Sequence, residues 1–135
     1  MSKFSSFIFA ASIAVAALWI AGPAEARTYS VQTGADLAEV CATPANTNAI
    51  TDAERQQLNV CGAYIQGFLG HYAVARRHMS KADFCLPAEG VAAEQVRQLF
   101  LALLEQKPQI RDLPASIDLA TSLAWGYACD GKTAR

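Results

Sequence analysis

The chain contains no C-x-x-C, no H-x-x-x-H and no glycine-rich loop of the kind that cradles phosphate. The first absence removes a thioredoxin-like redox pair and a c-type haem attachment site. The second removes a two-histidine metal site on one helical face, and the third leaves nucleotide phosphates without a backbone cradle. An excess of charge of one sign is missing too. Eleven basic residues against twelve acidic ones give a net charge of −1. A chain so nearly neutral has no electrostatic footprint for nucleic acid and no polybasic face for anionic lipid. Beyond the N-terminal segment, no stretch alternates apolar and polar residues with the period of two that strands require.

One hydrophobic run is present. Lys3 precedes the apolar stretch Phe7 to Ile20, Gly22 and Pro23 break it, and Ala24-Glu25-Ala26 places small residues at both recognition positions of a cleavage site. That is the layout of a secretory signal peptide. The apolar run falls short of the roughly 20 residues that span a bilayer. We therefore expect cleavage after Ala26, a single domain over 27–135, and no membrane attachment once the signal is removed. Lys3 and Glu25 leave together, so the net charge of the exported part stays at −1.

Helical periodicity fills most of that domain. Leu37, Val40 and Cys41 mark a short helix over Gly34 to Cys41, and the Pro-, Asn- and Thr-rich segment Ala42 to Ile50 reads as a loop. Thr51 with Glu54 three residues later matches a capping box. It opens a long second helix, from about Asp52 to His78, striped by Leu58, Cys61, Ile65, Phe68, Tyr72 and Ala75. Gly62, Gly67 and Gly70 interrupt it. Each costs about 1 kcal/mol in helix propensity relative to alanine, which suggests close approach of another backbone in the fold or across a dimer. A third helix runs from Val91 or Ala92 to Gln106, with Val96, Leu99, Phe100, Leu103 and Leu104 on one face. Pro108 stops it. A fourth is expected with Asp112 as N-cap, Pro114 in its first turn, and Leu113, Ile117, Ala120, Leu123 and Tyr127 as its buried stripe. The fold class is all-α, with about four helices.

All four cysteines, Cys41, Cys61, Cys85 and Cys129, lie in the exported part. An even count outside the cytoplasm reads as two disulfides, and the wide spacings do not resemble paired zinc knuckles. The short turn after Gln106 makes helices three and four antiparallel neighbours. Cys85, before helix three, and Cys129, after helix four, then lie at the same end and pair, leaving Cys41 with Cys61. Each bridge contributes about 3–4 kcal/mol in a chain-entropy model.

Candidate residues for chemistry are few. His71 and His78 share a helical face but stand about 10 Å apart along the axis, too far to share a metal unaided. Arg76, Arg77, His78 and Lys81 form a basic cluster at the end of the second helix, where the macrodipole favours positive charge. Paired catalytic carboxylates and a Ser/His/Asp arrangement cannot be argued from spacing. No catalytic residue, cofactor or metal ligand is therefore assigned.

The remaining motifs fall in one order: "TGADLAEVC" (Thr33 to Cys41), "CGAYIQG" (Cys61 to Gly67), "FCLPAEGV" (Phe84 to Val91) with Gln95 just downstream, Lys107-Pro108, and Pro114-Ala115. Together they resemble the immunity proteins of type VI secretion amidase effectors, the Rap/Tai family. The resemblance implies a small, exported, all-helical homodimer that binds a peptidoglycan amidase in the periplasm and occludes its cleft. Such amidases resemble papain-like cysteine peptidases, so the reactive cysteine would belong to the partner. The chain itself would then be no enzyme.

For the partner surface we favour the turn between helices three and four: Lys107, Gln109, Ile110, Arg111 and Asp112. Ile110, between polar neighbours, either enters a cleft or folds back onto the core. A different class of function is a periplasmic stress or chaperone-like helical protein without a dedicated enzyme partner. A third is an enzyme or small-ligand carrier with a pocket that the sequence does not reveal.

Overall fold

Thr33 opens the first helix with a reciprocal cap. Its hydroxyl accepts from the Asp36 N–H at 3.2 Å, and the Asp36 carboxylate accepts from the Thr33 N–H at 2.8 Å. The backbone N–H groups of Thr33 and Gln32, both donating to the Asp36 carboxylate, hold that carboxyl below its ordinary range. A computed structural model of the chain describes residues 28–43 and 49–129, and the signal segment with its cleavage site lies outside them. Four α-helices follow in order: α1 (Gly34–Cys41), α2 (Asp52–Ala75), α3 (Ala93–Gln106) and α4 (Ala115–Gly126). Among the described residues there is no strand, only an isolated antiparallel bridge between Thr33 and Pro114. The domain is all-α.

α2 begins with the Thr51–Glu54 capping box, in which the Glu54 carboxylate accepts from the Thr51 N–H at 2.7 Å. It runs unbroken to Ala75, and Arg76–His78 continues it as one 3-10 turn. The connector to α3 turns at Gly90, whose φ of 81° lies in the left-handed region that only glycine enters without strain. α3 has half of a capping box: the Gln95 side chain accepts from the Ala92 N–H at 3.0 Å, but Ala92 has no oxygen to return the bond.

The core is one cluster. Leu37 and Val40 from α1, Cys61 and Ile65 from α2, Phe84 from the connector, Val96, Phe100 and Leu104 from α3, and Leu119 and Leu123 from α4 are all buried in it. Fully burying a Leu, Ile or Phe side chain contributes about 1.5–3 kcal/mol. α3 packs on α4, α1 on α2 and on α4, and α2 on α3. Disulfides join Cys41 to Cys61 and Cys85 to Cys129, with Cα–Cα distances of 5.1 and 4.7 Å. The first lies inside the core and ties the end of α1 to α2, while both cysteines of the second are exposed.

Two expectations need correction. Gly62, Gly67 and Gly70 are not points of close approach within the fold, because a Cβ at any of them would meet nothing within 4 Å. α4 also starts later than expected and buries a different face. Pro114 is its N-cap, without a side-chain cap bond, and Asp112 is exposed. The buried positions are Ala115, Asp118, Leu119, Ser122 and Leu123, whereas Leu113 and Ile117 stand 41% and 50% exposed. The apolar stripe through Leu113 and Ile117 is the more hydrophobic choice. Leu113 lies before the helix, however, and the space beneath α4 is narrow where α1 crosses it. Small and polar side chains fill it instead.

Candidate functional site

The turn between α3 and α4 is built by two prolines. Lys107 leaves helical geometry at φ −131°, ψ 67°, and Pro108, which has no N–H to continue the α3 ladder, opens a 3-10 turn over Pro108–Ile110. Ile110, Arg111 and Leu113 each donate three residues back, at 3.2, 3.3 and 3.0 Å. Pro114 then extends the chain before α4 begins.

A backbone seam anchors this turn to the start of α1. Gly34 N–H donates to the Leu113 carbonyl at 2.9 Å, Ala35 N–H to the Arg111 carbonyl at 2.8 Å, and Ala115 N–H to the Gln32 carbonyl at 2.8 Å. The first amides of α1 have no partner inside their own helix, so the turn's carbonyls satisfy them. The seam fixes the direction in which the turn points.

Of the five residues proposed for partner contact, Lys107, Gln109, Arg111 and Asp112 are exposed. Ile110 is half-buried and packs against the core cluster. The exposed apolar groups at this end are Leu113 and, one helical turn on, Ile117. With Arg111 and Asp112 they make a patch of two aliphatic side chains beside one charge of each sign. Sequence periodicity assigned both aliphatic residues to the core and so missed them.

Asp118 lies beneath the seam. It is fully buried, and neither carboxylate oxygen has a hydrogen-bond partner. Burial raises its pKa from the ordinary 3.8 to about 6. Its neighbour Ser122 is satisfied, donating to the Asp118 carbonyl at 2.8 Å.

A second buried charge sits at the other end of α1. Arg97 on α3 donates from Nε and Nη2 to the two carboxylate oxygens of Glu94, both at 2.7 Å, and from Nη1 to the Cys41 carbonyl at 2.6 Å. A longer bond of 3.3 Å reaches the Thr43 carbonyl. The Arg97 hydrogen bond holds the Glu94 carboxyl below its usual range. Arg97 thus caps the last carbonyl of α1, at Cys41, and reaches the Thr43 carbonyl just beyond the helix. His71 and His78 are exposed. Among the described residues no group of three His, Cys, Asp or Glu side chains is placed to hold a metal ion, and no helix is long and apolar enough to cross a membrane.

The chain is a helical, doubly bridged scaffold whose exposed α3–α4 turn is anchored to the start of α1. The family model of Rap1a immunity proteins matches residues 33–129, from the Thr33 cap to the last cysteine. The chain belongs to that family. Comparison with curated proteins found no match, and comparison with solved structures found none.

Proposed function

We propose that the mature chain is a periplasmic immunity protein that binds a peptidoglycan amidase delivered by type VI secretion and blocks its cleft without turnover. Membership in the Rap1a immunity family over residues 33–129 carries the reading. The exposed surface of the α3–α4 turn supports it. Lys107, Gln109, Arg111 and Asp112 supply polar contacts, and Leu113 and Ile117 supply apolar area that water would leave on association. Ile110 acts from behind, stiffening the turn through its contact with the core. The chain works as a homodimer, with the open glycine-bearing face of α2 against a second copy. It reaches the periplasm through the N-terminal signal segment.

The test is to export candidate type VI peptidoglycan amidases from the same genome into the periplasm of a susceptible cell, with and without this chain. Survival only with the chain, and loss of peptidoglycan cleavage in a purified mixture, is the expected result. Continued lysis with the chain present, and no complex on co-purification, would refute the reading. Sedimentation of the mature protein at micromolar concentration tests the dimer, which a monomer would exclude.

A further inference from the structure

The two disulfides stand in opposite environments. Cys41 and Cys61 are 0% and 1% exposed and belong to the core cluster. Cys85 and Cys129 are both exposed, and Cys85 lines a groove of about 320 Å³ with Leu69, Tyr72, Phe84, Leu86 and Arg76. We propose that Cys85–Cys129 is a thiol-exchange site, reduced by an external dithiol docked in this groove while Cys41–Cys61 stays oxidised. Three observations converge on this bridge.

Access is the first. A thiolate must reach a sulfur along the S–S axis, so exposure governs which bridge exchanges. The groove is the second. Its walls are apolar and aromatic, with Tyr72 and Phe84 stacked at 3.9 Å between ring centroids, which suits the carbon frame of a small dithiol. Charge is the third. Arg76 lines the groove, and Arg77, His78 and Lys81 are exposed on the same chain segment. This basic cluster at the end of α2 has no part in the proposed amidase contact. A cation beside an exchanging sulfur attracts the incoming thiolate and stabilises the departing one.

The step balances as ordinary thiol–disulfide exchange. One thiolate of the dithiol attacks Cys85 Sγ and forms a mixed disulfide, and the old S–S bond breaks with its electron pair leaving on Cys129 Sγ, which takes a proton. The second thiol of the dithiol, losing its proton, then attacks its own sulfur in the mixed disulfide and releases the Cys85 thiolate, which is protonated in turn. The protein gains two electrons and two protons, and the dithiol becomes a disulfide.

The fold is prepared to survive this. With the bridge open, Cys85 N–H still donates to the Tyr127 carbonyl at 2.8 Å, and Tyr72 Oη still donates to the Phe84 carbonyl at 2.8 Å. Phe84 itself is buried. Reduction therefore removes one covalent tie and leaves the four helices in place.

The mature oxidised protein is treated with dithiothreitol for graded times, quenched with iodoacetamide and mapped by mass spectrometry, with far-ultraviolet circular dichroism on parallel samples. Cys85 and Cys129 are expected to alkylate at least roughly tenfold faster than Cys41 and Cys61, before any helical signal is lost. Arg76→Glu should slow that first reduction, an effect that added salt diminishes. Equal rates for the two bridges, or reduction only in step with helix loss, would overturn the site. A rate indifferent to Arg76→Glu and to salt would overturn the groove as its docking place.

Discussion

The carboxyl of Asp118 on α4 lies directly against Gly34, the first residue of α1, and leaves no room for a Cβ there. The Arg111 carbonyl closes the same space from the other side, 3.2 Å from where that Cβ would stand. The start of α1, the exit of the α3–α4 turn and a buried acid therefore meet at one point.

Gly34→Ala should consequently destabilise the domain. The new methyl must displace either a fully buried side chain or backbone held by the seam, and overpacking of this kind costs about 1–3 kcal/mol. Urea denaturation followed by circular dichroism measures it as a lowered midpoint. In combination with Asp118→Ala the loss should be less than additive, because the colliding carboxyl is gone. Additive losses would mean that the two residues do not share the space.

The same acid gives stability an unusual pH dependence. Between about pH 3.8 and 6 the folded chain keeps the Asp118 proton while the unfolded chain has released it. The unfolded state then binds fewer protons, so this group's contribution to stability falls as pH rises through that window. Above pH 6 the loss is complete and amounts to about 3 kcal/mol, at 1.36 kcal/mol per pKa unit. Asp118→Asn should abolish it and raise stability at pH 7 more than at pH 4. Urea midpoints of both proteins at pH 4, 5, 6 and 7 measure the difference. A pH-independent difference would show that Asp118 does not titrate in this range.

Most of the helical frame was readable from local chemistry. The Thr51–Glu54 box fixes the start of α2, and the Val96–Leu104 stripe and Pro108 bound α3 within about two residues, because each depends on near neighbours only; the end of α2, expected at His78, falls at Ala75. What failed in α4 depends on α1. Hydrophobic periodicity cannot anticipate that a glycine across the core makes Asp118 fit beneath the helix while Leu113 and Ile117 face water. The Thr33–Asp36 cap of α1 was legible but escaped notice, since it carries Asp where the usual box carries Glu or Gln. Arg97 gave no local signal, because its reason for burial is a set of carbonyls more than fifty positions away, at Cys41 and Thr43. Within the candidate surface, the turn's position follows from its two prolines. Which of its apolar residues faces out was decided by the seam.

Arg97→Met should lower stability by about 2–3 kcal/mol. It keeps the apolar stem but strips the Cys41 and Thr43 carbonyls of their donor and leaves Glu94 without its cation, held only by the Gln98 amide at 2.9 Å. Because Glu94 is partly exposed, its own share of that loss is small. Arg97→Lys should recover only part, since an ammonium cannot reach both a carboxylate and the carbonyls with the geometry of a fork. Unfolding midpoints of the two variants check this, and an Arg97→Lys midpoint equal to the parent's would assign the effect to charge alone.

The proposed amidase contact separates from stability at Leu113 and Ile117. Both side chains are substantially exposed, so Leu113→Asp and Ile117→Asp should each leave the unfolding midpoint within about 0.5 kcal/mol of the parent value. On association each would bury a charge in an apolar contact, and binding should weaken by roughly tenfold or more. Val74, 61% exposed on α2, supplies the comparison. Val74→Asp should leave the affinity for the amidase unchanged when measured by calorimetry against the purified enzyme. If Val74→Asp abolishes binding while Leu113→Asp and Ile117→Asp do nothing, the inhibitory surface lies on α2 and the α3–α4 turn has only a structural part.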